Sequence, residues 1–286
     1  QGNFVSTGVT ANDIEKRLPA EKMFLQTIDK SIQSNTISRT RQLTKSSARV
    51  KAEVLPQRAY PLTGTPKSLV ILVNFSDTAF SVASPKTAFT NMLNQSGYSA
   101  NGGTGSAKDY FRDNSMGVFN PNFDVVGPFT LPQKMSYYGK NDANNEDMNP
   151  AQMIVDACKL ADTNGTDFTQ YDTDNDGMVD NIFVYYAGYN EAEHGPDNSV
   201  WPHRWGVYPG TNYTGTTASI TFDGKRIVDY ACSSELRGSS GVNMCGIGTF
   251  CHEFGHVLGL PDLYPTNGES HHALGDWDVM DYGPYL

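Results

Sequence analysis

The sequence predicts an α/β (α+β) layered domain. Two observations carry that reading. Apolar runs of strand length alternate with segments of helical periodicity. The chain is also apolar enough to bury a core: 38% of its 286 residues are hydrophobic, and 15 Tyr, 14 Phe and 3 Trp add bulky core material. Residues 69–75, Leu-Val-Ile-Leu-Val-Asn-Phe, read as a buried central strand. The Gly-Gly-Thr-Gly stretch at 102–105 is a loop, and residues 106–114 form a short helix. Residues 119–126 read as a strand. Over 150–161, Met153, Ile154, Ala157, Cys158 and Ala161 share one helical face. Residues 181–187 are a further strand. No internal repeat or long low-complexity tract interrupts the pattern.

Residues 1–60 differ from the rest of the chain. They hold ten Lys/Arg against five Asp/Glu, a net of +5, so the remainder carries −15 of the overall −10. Their polar stretches build no core of their own, and a helix interrupted at Pro19 is expected over 11–32. The Pro- and Gly-bearing segment 61–66 reads as a linker, which puts one large domain at 67–286. Net charge of −10 lacks the basic footprint of a nucleic-acid binder or of a protein docking on anionic membranes. No apolar run approaches the roughly 20 residues that span a bilayer. The chain opens on Gln1 with no basic, apolar leader, so it is either cytosolic or a mature, trimmed form. Four cysteines, Cys158, Cys232, Cys245 and Cys251, allow two disulfides and favour an oxidising compartment. We expect Cys232–Cys245 as one bridge, with Cys158 and Cys251 paired or buried free.

Residues 142–197 contain thirteen Asp/Glu and one basic residue, Lys159. Within them, Asp172, Asp174 and Asp176 alternate at loop positions 1, 3 and 5, Gly177 follows at 6, Met178 offers a carbonyl at 7 and Asp180 stands at 9. One short loop wraps a hard cation such as Ca²⁺ with this spacing. Phe183 replaces the bidentate Glu of a complete EF-hand at position 12, so a further ligand must come from elsewhere, Glu191 and Glu193 being candidates. A Ca²⁺ there would be structural.

All six histidines fall between His194 and His272. Two stand in Cys251-His252-Glu253-Phe254-Gly255-His256. Residues four apart project from one helical face, so His252 and His256 can hold one Zn²⁺. Phe250, Phe254, Val257 and Leu258 form the opposite, core-facing stripe. Glu253 can act as general base toward a metal-activated water. Gly259 can end the helix at positive φ, and Pro261 prevents its resumption. Asp262 then arrives as a carboxylate third ligand, with His271 and His272 as competitors. Three protein ligands leave a position open, as in a catalytic site. The thiol of Cys251 is out of phase with His252 and reads as a core cysteine. His203, between Trp201 and Trp205, either lines the cleft or is a buried, hydrogen-bonded histidine; we favour the second.

The His252–Asp262 pattern resembles the metzincin-type zinc peptidases, with Asp262 where most have a third histidine. More narrowly, the chain resembles the immune inhibitor A family of secreted bacterial zinc metallopeptidases. The likeness covers residues 66–286 and includes the acidic loop, Trp201-Pro-His203-Arg-Trp205, and Gly275-Asp-Trp277-Asp-Val-Met280. The resemblance implies a metzincin/zincin-like catalytic domain with a twisted mixed sheet, a backing helix and an active-site helix. It implies a Met-turn with Met280 beneath the metal, catalytic Zn²⁺ and structural Ca²⁺. In astacin-like metzincins, a tyrosine placed as Tyr282 is here approaches the metal and stabilises the oxyanion. It further implies secretion or a cell-surface or periplasmic location, the signal peptide having been removed, and further sequence after residue 286. The expected activity is endopeptidase cleavage of protein or peptide substrates by a monomer. The basic segment 1–60 is then a candidate propeptide of a zymogen, docking by charge on its acidic partner. It holds no cysteine, so a cysteine latch on the metal is excluded. Two rivals are a non-peptidase zinc amidohydrolase on the same helix, and a Ca²⁺-stabilised surface-binding module with a degenerate metal site.

Overall fold

The computed structural model describes residues 60–143, 146–207, 220–264 and 274–285. The chain divides into two units, residues 1–55 and 56–286, and all the described residues belong to the second. The helix expected over 11–32 lies outside the described residues, as does all of the candidate propeptide except its last residue, Tyr60.

A five-stranded mixed sheet organises the unit. Its strands are β1 (Lys67–Asn74), β2 (Asn122–Thr130), β3 (Ile182–Tyr186), β4 (His203–Gly206) and β7 (Asp229–Ser234), in spatial order β2-β1-β3-β7-β4. Neighbours are parallel except β4, which runs antiparallel to β7 at the edge. A separate hairpin pairs β5 (Thr221–Phe222) with β6 (Lys225–Arg226). The helices are α1 (Pro85–Asn94), α2 (Ala107–Asn114), α3 (Met135–Gly139), α4 (Pro150–Thr163) and α5 (Gly248–Val257). The expected α/β architecture is therefore present. The middle strand is β3 rather than the 69–75 run. That run is β1, one place off-centre, because parallel strands covered on both faces carry the same continuous apolar signal wherever they sit inside a sheet.

Two cores form, one on each face. Leu69, Ile71, Val73, Ile182, Val184, Tyr230 and Cys232 bury against α4. Val70, Leu72, Phe183, Tyr185 and Ala231 bury against α1, α2 and α5. This alternation follows from the two-residue period of a strand. It also removes the expected Cys232–Cys245 disulfide: Cys232 belongs to the first core and Cys245 to the second, with the sheet between them. Cys158 and Cys251 are likewise divided, and all four cysteines are free and buried. Burial pushes each thiol well above its ordinary pKa, so none is poised as a thiolate.

Residues 61–66 are fastened to the unit. Gly64 exchanges backbone hydrogen bonds with Val118 and Asn120, each at 2.8 Å, and the Tyr60 ring packs edge-on against Phe254. Pro and Gly mark a turn and a linker alike, and here a paired turn results. Strand β7 is missing from the sequence reading. Its small and hydroxylic end, Cys232-Ser-Ser234, hides a strand that is buried all the same. Just beyond it, fully buried Glu235 accepts hydrogen bonds from Ser81 and Val82 N–H and, through its second oxygen, from Gly188. That carboxylate ties the loop after β1 to the ends of β3 and β7.

Candidate metal centre

Helix α5 is held from behind by aromatic rings. Phe250 and Phe254 stack with centroids 5.6 Å apart, and Phe123 meets them edge-on at 4.9 and 5.3 Å. Phe183 adds a further contact to Phe250 at 4.5 Å. Such pairs contribute about 0.5–1.5 kcal/mol each beyond burial. The helix ends as its sequence predicts. Gly259 takes φ +91°, its N–H bonds to His256 O at 3.1 Å, and Leu260 N–H bonds to Gly255 O at 2.9 Å. These two bonds make a Schellman close, after which the chain reverses.

The reversal brings Asp262 back onto the front of the helix. Its Oδ1 lies 3.3 Å from His252 Nε2 and 3.0 Å from His256 Nε2. The carboxylate is almost sealed from solvent, with 1% of its side chain exposed. Each imidazole places Nδ1 against a carbonyl: His252 on Val279 O and His256 on Leu260 O, both at 2.8 Å. A carbonyl only accepts, so each Nδ1 donates, and in the neutral ring Nε2 is left as an acceptor. Three acceptors thus face one another. Protonating both rings instead would set two cations on centroids 4.7 Å apart. A divalent cation among them removes the conflict, and two imidazoles with one carboxylate suit zinc. Buried Glu253 adjoins this group on the same helix. His271 and His272 lie outside the described residues.

The turn carrying Met280 is tied to the centre by hydrogen bonds. Asp281 accepts from Leu274 N–H at 3.0 Å and Gly275 N–H at 2.7 Å, while Asp278 accepts from Met280 N–H at 2.8 Å. Leu263 N–H donates to Met280 O at 2.8 Å, which joins the turn to the segment carrying Asp262. Met280 is buried, and its sulfur would come within 2.6 Å of a Cβ at Gly255. Glycine is therefore required there by close approach. Tyr282 is exposed and reaches the histidines through an intermediary: its ring meets Tyr264, which in turn lies 15° from parallel with His252 at 6.4 Å. Sequence reading missed Tyr264, Asp278, Asp281 and the two carbonyl acceptors. Tyr264 is two residues past Asp262, a spacing that could have marked it; backbone carbonyls leave no sequence signal.

The acidic loop gathers part of its expected set. Ligating oxygens of Asp172, Asp174 and Asp176 lie within 4.8 Å of one another. Asp180 turns toward the loop's start, where its carboxylate accepts from Thr173 N–H at 3.1 Å. Met178 N–H donates to Asp176 at 2.9 Å. Lys225 places its ammonium 2.7 Å from Asp172. Burial alone would raise the Asp172 pKa, but Lys225 and the N–H groups of Gly177 and Asp176 outweigh it and hold the carboxyl below its ordinary value. Glu191 and Glu193 are engaged elsewhere, with Asn141 and Asn190. His203 is half-buried and hydrogen-bonded, its ring bridging Trp201 O at 2.6 Å and Tyr230 Oη at 2.8 Å, and it also lines a cavity, so both expectations for it are met in part.

Comparison with known proteins identifies the family. Over 202 residues the chain is 31% identical to Immune inhibitor A of Bacillus thuringiensis subsp. alesti, covering 62% of this chain and 28% of the relative. It is 23% identical over 330 aligned positions to the Pre-pro-metalloprotease PrtV of Vibrio cholerae serotype O1 (strain M66-2), covering 96% of this chain and 34% of the relative. The chain thus spans about a third or less of the length of these curated relatives. Residues 62–286 match the family described as Immune inhibitor A peptidase M6, catalytic domain. The chain belongs to that metallopeptidase family.

Proposed function

We propose that the domain is a zinc-dependent endopeptidase acting on protein or peptide substrates outside the cell that makes it. The observation that carries the reading is the convergence of His252 Nε2, His256 Nε2 and Asp262 Oδ1 beside buried Glu253. These three side chains would hold the ion. Bound Zn²⁺ supplies Lewis-acid activation of water and of the scissile carbonyl. Glu253 accepts the proton of the attacking water and delivers it to the leaving amine, so one carboxylate serves as base and then as acid. Tyr282, with Tyr264 between it and His252, offers a phenol to the developing oxyanion. Strand β4 forms one edge of the sheet among the described residues, and an extended peptide pairs with such an edge through backbone hydrogen bonds. The acidic loop holds a structural Ca²⁺ on Asp172, Asp174 and Asp176, with Lys225 sharing the charge of Asp172. The basic segment 1–60 is a propeptide.

The experiment is casein cleavage by the chain freed of residues 1–60, with and without a zinc chelator, beside Glu253→Ala. Activity lost in both cases and restored to the wild type by zinc supports the reading. Cleavage that survives chelation, or the Glu253→Ala change, contradicts it.

A further inference from the structure

On the face of the sheet opposite α5, the edge strand walls a cavity of about 190 Å³. His203 and Trp205, two apart on β4, line it, together with exposed Trp201. The other wall is acidic, with Glu146, Asp147 and Glu191. Among the described residues no lysine or arginine lines it. Asp147 Oδ2 accepts from Trp201 N–H at 3.0 Å, whereas Oδ1 is fully buried and accepts no hydrogen bond from the described residues. Burial and the charge of Glu191 push the Asp147 carboxyl up to about 7, although the Trp201 N–H works against the shift. Burial lowers the His203 pKa, so the imidazole adds no positive charge at neutral pH. The lining therefore carries negative charge with no cation of its own among the described residues to balance it.

A metal ion does not fit. Among the described residues only two groups of three ligating side chains converge within 4.8 Å, and neither includes these carboxylates. Indole rings are not ligands for a hard cation, but they attract organic cations through their faces. An ammonium or guanidinium group on an apolar stem satisfies both walls.

The location decides the source. His203 is in register with Cys232 of β7, and helix α5 packs against both β4 and β7, so the cavity neighbours the metal centre across the edge of the sheet. A peptide laid along β4 sends successive side chains to opposite faces of the sheet. Residues facing α5 approach the metal, and their sequence neighbours face the cavity. We propose that the cavity is a specificity subsite that takes the Lys or Arg side chain of an extended substrate, one residue removed from a position facing the metal helix. The assignment rests on the peptidase reading.

A peptide library cleaved by the active chain tests it. Lys and Arg should be enriched at one fixed position relative to the cut. Asp147→Asn and Glu191→Gln should each lower kcat/KM about tenfold on peptides with Arg there, leaving norleucine peptides unchanged. Glu191→Lys should favour an acidic residue at that position. Cleavage without enrichment, or variants that depress all peptides equally, overturns the subsite while leaving the peptidase reading intact. A library left uncut by zinc-loaded chain instead sinks the peptidase reading. The cavity is then read by tryptophan emission from the full chain, titrated with an Arg-containing hexapeptide and its norleucine analogue. A response selective for Arg and lost in Asp147→Asn keeps the cation site; equal or absent responses overturn it.

Discussion

Glu253 is only 6% exposed, on a helix whose other face is packed with phenylalanine. As a general base it is expected to contribute about 10²–10⁴-fold to turnover. Glu253→Gln should therefore lose that factor in kcat while still retaining the metal; kcat within threefold of wild type contradicts the role. Gly255 supports the site by being small. A methyl there meets Met280 sulfur at 2.6 Å, so Gly255→Ala should cost about 1–3 kcal/mol in unfolding free energy. Adding Met280→Ala should recover part of that loss; no recovery would show the contact to be immaterial. Asp147 yields a pH prediction. It faces Glu146, Glu191 and His203, and its folded pKa of about 7 exceeds the ordinary 3.8. The folded state therefore holds this proton more tightly, and the resulting stability is present below about pH 3.8 and lost as pH rises through about 7. Thermal melts of Asp147→Asn should fall less between pH 5 and 8 than those of wild type; parallel curves contradict this. At this scale the histidine pair, Glu253 and Asp262 were legible because helix period and a glycine stop place them locally. The pairing of Gly255 with Met280 was not, since only the folded chain brings positions so far apart in sequence together.

Helix α5 was readable as an element because its apolar stripe and its polar front share one period. Strand β7 was not, because its small and hydroxylic residues carry no strand signal and its burial comes wholly from β3, β4 and the helices around it. The disulfide expectation failed for a related reason: an even cysteine count cannot tell which face of a sheet each thiol occupies. The acidic loop makes a testable element. Hydrogen bonds from Gly177 to Asp172 and from Met178 to Asp176 preform it, and the loop abuts the β5–β6 hairpin through Arg226. Millimolar Ca²⁺ should raise the melting temperature of the chain, and Asp174→Asn with Asp176→Asn should abolish the rise. A wild-type melt indifferent to Ca²⁺ would show that Lys225 and the backbone suffice to balance the loop.

Across the whole molecule, the sheet order places the metal helix beside β7, with the antiparallel edge strand β4 next to it. That edge strand packs against the helix that carries the histidines, and His203 and Trp205 on it line the acidic cavity. The sequence carried the layered class through its alternating runs, yet the strand order depends on long-range pairing that no local pattern encodes. Zinc content of the purified full chain, measured by elemental analysis after dialysis against metal-free buffer, tests most directly whether His252, His256 and Asp262 together hold a zinc ion. One zinc per chain is expected in wild type and in Glu253→Gln, with loss in His256→Ala and Asp262→Asn. A metal-free wild type in zinc-supplemented buffer, or full zinc content in both ligand variants, would contradict it.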